Sequence, residues 1–76
     1  MYIEKINCIA SEIEQIKEAI KTNKKEIKKR ENIIAIQYDE VLETEILQYK
    51  EEIENLREQL KMKKQLLKNY KKLWNN

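Results

Sequence analysis

Four carboxylates, Glu51, Glu52, Glu54 and Glu58, crowd one short stretch of this 76-residue chain. Paired carboxylates do acid–base work or hold metals when a pocket shifts their pKa values. A di-iron helical bundle adds Glu-x-x-His to them, and the chain has no histidine. The run therefore reads as a solvated helix face. Cys8 is the only cysteine. It cannot form an intramolecular disulfide, and a reactive thiol needs a neighbouring base or a lowered pKa. Neither is visible, so Cys8 reads as an incidental exposed thiol. The chain has no glycine and hence no Gly-rich phosphate loop. The expectation is no catalytic residue, no cofactor, no metal and no enzyme.

Two groups of residues carry recognition chemistry instead. Lys17, Lys24, Lys50, Arg57, Lys64 and Lys71 recur at the same position of a seven-residue repeat. They form a basic edge that suits an acidic protein or nucleic acid, or a merely solvated face. Tyr70 and Trp74 lie near the C-terminus. They either close the end of a core or anchor a partner, as exposed Tyr and Trp often do.

The elements that position these residues are helical. Charged residues make up 39% of the chain and there is no proline, a composition typical of long helices and coiled coils. So high a charge also suits disorder, but the apolar spacing is regular. In the first half the seam runs through Tyr2, Ile6, Ile9, Ile13, Ile16, Ile20, Asn23, Ile27, Arg30 and Ile34. In the second it runs through Leu42, Ile46, Tyr49, Ile53, Leu56, Leu60, Lys63, Leu67, Tyr70 and Trp74. Steps of three and four are the heptad signature.

The two registers do not match. Ile34 and Ile46, both at position a, are 12 residues apart. Bridging them within one helix would swing the stripe by about 120°. Folding the chain antiparallel about residue 38 pairs seam residues whose numbers sum to 76. Tyr2 then meets Trp74, Ile9 meets Leu67, and Ile34 meets Leu42. The polar seam residues Asn23, Arg30 and Lys63 face Ile53, Ile46 and Ile13 and never one another. Asp39 is a fitting N-cap, with Glu40 and Glu43 at the positive end of the second helix.

The sequence thus predicts an all-α antiparallel helical hairpin, a two-helix coiled coil. Helix 1 spans about 3–36 and helix 2 about 40–74 in a single domain. The alternative is a long antiparallel coiled-coil dimer of continuous helices. A two-helix core is thin, and one flank adds Ala19, Ile33, Leu66 and Leu73 beside the seam. That wider apolar face predicts a homodimer that forms a four-helix bundle.

Net charge is only +2, so bulk charge selects no partner. There is no apolar N-terminal h-region and no long apolar run, so the expectation is no signal peptide, no membrane partner and a cytoplasmic location. The chain reads as a complete small frame. Its abundance of Ile, Lys, Asn and Tyr points to an A/T-rich genome, such as that of a low-GC bacterium or its phage. The expected function is binding to a larger protein partner as a regulator, inhibitor or adaptor. Nucleic-acid binding by the basic edge is the alternative, against which stand only two arginines and no interleaved aromatics. A structural coiled-coil assembly subunit is a third reading, although a spacer should keep its heptad unbroken.

Overall fold

The computed structural model describes residues 2–75. Two helices make up nearly all of it, α1 over Tyr2–Ile36 and α2 over Glu40–Asn75. They lie antiparallel in a rod of 58 × 14 × 13 Å. The partner of α1 is α2 of the same chain, so the hairpin holds rather than a pair of continuous rods.

The connection is three residues, Gln37 to Asp39. So short a link leaves antiparallel neighbours as the available geometry. Gln37 N still donates to Ile33 O at 3.0 Å, after which the ladder stops. Asp39 caps α2: its Oδ1 accepts from Val41 N at 2.9 Å and Leu42 N at 3.4 Å. Its carbonyl accepts the first helical bond, from Glu43 N at 3.1 Å. Glu40 and Glu43 sit in the first turn, where the helix dipole favours negative charge. No described residue has positive φ. The turn therefore makes no demand for glycine, which usually ends helices in the left-handed region. The last turn of α1 holds no basic residue.

The seam is the core. Ile6, Ile9, Ile13, Ile16, Ile27, Ile46 and Ile53 are buried. Around Ile27, Ile46 and Ile53 pack Ile20, Ile34 and Tyr49. Two ion pairs between the helices fix the register: Arg30 with Glu45 and Lys63 with Glu12. Each pair's numbers sum to 75, within one residue of the fold-back axis read from the heptads. Among the described residues no side chain is fully sealed from solvent. Two helices cover each other on one side only, so this core is thin.

Candidate interaction surfaces

Three of the six basic-edge residues, Lys24, Lys50 and Arg57, come together in the hairpin. Lys24 and Lys50 face each other across the two helices, and Arg57 joins them around a groove of about 460 Å³. Ile27 and Ile53 form its floor, and Glu51 and Glu54 also line it. Arg57 pairs with Glu54 at 3.2 Å and Lys17 with Glu14 at 3.6 Å, both within their own helices. Lys24, Lys50, Lys64 and Lys71 are exposed and hold no ion pair among the described residues.

Among the described residues, the opposite flank carries every ion pair that joins the helices. Arg30, at a seam position, extends outward rather than resting on Ile46. Its Nε donates to Glu45 Oε2 at 2.6 Å and its Nη1 to Glu26 Oε2 at 2.7 Å. The guanidinium also lies 4.7 Å from the centroid of the Tyr49 ring, a cation–π contact. Lys63 likewise leaves its seam position to pair with Glu12. The ammonium of Lys63 holds the Glu12 carboxyl below the usual range, and Arg30, with Lys29 adding to it, does the same for Glu26. The two carboxylates hold the Arg30 guanidinium charged well beyond its ordinary range.

The apolar flank residues lie on this same side. Ala19 is half-buried, and Ile33, Leu66 and Leu73 are 51%, 40% and 53% exposed. Glu12, Glu26, Glu45 and Glu52 separate them, so the stripe is patchy rather than continuous.

At the open end, the Tyr2 ring pairs with that of Tyr70. The ring centroids lie 6.1 Å apart, tilted at 54°. Trp74 is 54% exposed and lines a cleft of about 510 Å³ with Tyr2, Lys5 and Tyr70. The end is lined by aromatics and left open. At the turn, Ile36, Tyr38, Val41 and Leu47 are exposed. The Tyr38 hydroxyl donates to the Glu43 carboxylate, which pushes the phenol above its usual range.

Charge also separates along the rod. Residues 31 to 49, around the turn, carry five acidic residues and no Lys or Arg. Residues 59 to 75 carry six lysines and no acid. One buried polar group stands apart: Asn23, facing Ile53 in the seam, leaves its Nδ2 unpartnered among the described residues.

Two of these features escaped the sequence reading. The ion pairs of Arg30 and Lys63 were legible in principle, because antiparallel pairing sets each d position beside the partner helix's g position. The axial charge separation needed only a count along each half.

Among the described residues no group of His, Cys, Asp and Glu is arranged to hold a metal. No described helix is long and apolar enough to cross a membrane. Compared with protein-family models, with curated proteins and with solved structures, the chain matches none.

Proposed function

We propose that this protein is a non-enzymatic helical module that binds a larger, acidic protein through its basic flank. It self-associates through the opposite flank into a four-helix bundle. One observation carries the reading: among the described residues, ion pairs between the helices are confined to one flank, while the other groups Lys24, Lys50 and Arg57 around an apolar-floored groove in which neither lysine holds an ion pair, although Glu51 and Glu54 also line it. Clustered like charges raise the energy of the free hairpin, and an acidic partner relieves that repulsion. A regulator, inhibitor or adaptor acts in this way, by occupying a surface of its target.

The test is affinity purification from the native host, with and without nuclease. The wild type is compared with a variant reversing Lys24, Lys50, Arg57 and Lys64 to Glu. The expected result is a nuclease-resistant protein partner that the variant loses while keeping its helical circular dichroism. Binding that survives the reversal overturns the reading. Binding destroyed by nuclease, with a log–log salt slope of about −0.9 per neutralised phosphate on duplex DNA, assigns the flank to nucleic acid instead.

A further inference from the structure

We propose that the flank carrying Ala19, Ile33, Leu66 and Leu73 docks on the same flank of a second copy turned end for end, with Ala19 and Gln59 at the two-fold axis. This rests on the self-association proposed above and adds its orientation.

The first argument is area. The chain exposes 6157 Å² for a mass of 9.3 kDa, where a compact folded monomer of that mass exposes about 5,000 Å². The excess is on the order of 1,200 Å² per copy, and two copies burying it reach about 2,400 Å², the size of an obligate homodimer interface. No described side chain is fully sealed, as expected of a ribbon that lacks its second layer.

The second argument is complementarity. The register sets Lys5 beside Leu73 at the open end, Ala19 beside Gln59 in the middle, and Ile33 beside Glu45 toward the turn. Between them lie Glu12 with Leu66 and Glu26 with Glu52. Turned end for end, the Lys5–Leu73 layer of one copy meets the Ile33–Glu45 layer of the other, and the Glu12–Leu66 layer meets the Glu26–Glu52 layer, which sets three carboxylates together. Lys5 then lies opposite Ile33 and Leu73 opposite Glu45, so that Lys5 and Glu45 approach diagonally within the layer. Ala19 meets itself at the axis, where its small side chain lets the backbones approach. Gln59 meets itself too, and its amide both donates and accepts. In a pairing of the same polarity each layer meets itself. The two Lys5 would share a layer with no acid, and Glu26 and Glu52 would gather four carboxylates in one layer where inversion gathers at most three, a like-charge juxtaposition that opposes binding. Inversion also lays the acidic segment 31–49 of one copy alongside the basic segment 59–75 of the other. The two-fold closes the assembly, so it does not grow into a fibre.

The test uses the full chain with Cys8→Ser and one spin label per copy, with mass read by sedimentation. Lys72→Cys carries an exposed label thirteen residues from Gln59. End-for-end pairing sets two such labels at least about 39 Å apart along the rod. Pairing of the same polarity sets them within about 25 Å, two helix diameters. Leu66→Lys, a change on this flank outside the seam, should raise the dimer Kd at least about tenfold. A dimer with the short Lys72 distance overturns the orientation and leaves self-association standing. A dimer indifferent to Leu66→Lys overturns the choice of flank. A chain that sediments as a monomer at high micromolar concentration overturns both, and leaves partner binding by the basic flank to its own test.

Discussion

Arg30 Nε stands 2.6 Å from Glu45 Oε2 across the hairpin, while Nη1 of the same guanidinium holds Glu26 at 2.7 Å. One side chain ties two helices through two carboxylates. A seam arginine would otherwise carry its charge into the Ile46 layer. Its long stem instead covers apolar surface while the head reaches the flank.

The fork is what makes this bridge. Arg30→Lys keeps the charge but offers a point donor in place of two aligned N–H groups. We expect Arg30→Lys to lower the thermal midpoint, and the loss to shrink once Glu45→Gln is already present. A double-mutant cycle on the denaturation midpoints checks this; additive losses would mean the bridge is not coupled.

Asn23 gives the opposite expectation. Its amide is buried beside Ile53 without a partner for Nδ2, and an unsatisfied buried donor costs about 1–3 kcal/mol. Asn23→Leu should therefore raise stability, by on the order of 1 kcal/mol, in urea unfolding followed by circular dichroism. A destabilised variant would show that the amide has a partner in the assembled protein.

The core should be intolerant of truncation. Ile53, 5% exposed, packs with Ile27 and Ile46. Removing a buried isoleucine to alanine costs about 2–5 kcal/mol, which is a large share of what a chain this small can hold. Ile53→Ala should leave the chain largely unfolded at 25 °C, whereas Leu47→Ala, at a 62% exposed site, should shift stability by no more than about 0.5 kcal/mol.

Stability should fall in acid. Lys63 and Arg30 lower the folded-state pKa values of Glu12 and Glu26. A depressed carboxyl stabilises the fold above its ordinary value and loses that contribution as pH falls through the folded one. The midpoint should hold down to about pH 5 and drop below it, and Glu12→Gln should flatten that limb. At the alkaline end Glu43 raises the Tyr38 phenol. Its contribution is complete below the ordinary tyrosine value and lost as pH rises through the folded one. An ultraviolet titration should show a tyrosine step above the ordinary value, and Tyr38→Phe should remove that step.

The parts legible in the sequence were those written as a repeat. A seam of isoleucine and leucine at steps of three and four marks a helix face, and a 12-residue offset where 14 would keep register marks the fold-back. Asp39 announced itself as a cap by its type and place. What stayed hidden depended on reach. Arg30 and Lys63 occupy seam positions by backbone geometry, yet their side chains are long enough to leave them. Trp74 completes the repeat, but the last turn of a two-helix rod has nothing to cover an indole, so Tyr2 meets Tyr70.

The three-residue turn has a further consequence for the order of assembly. Near it, Arg30 and Glu45 close a loop of only fifteen residues, whereas Tyr2 and Tyr70 close almost the whole chain. Each doubling of loop length adds about 0.6 kcal/mol of closure entropy. The hairpin should therefore zip from Asp39 outward, with the Ile27, Ile46 and Ile53 cluster as its first cooperative unit. Amide exchange would then slow steadily from the aromatic end toward that cluster, so the rod frays where its termini are and is anchored by the cluster beside the bend.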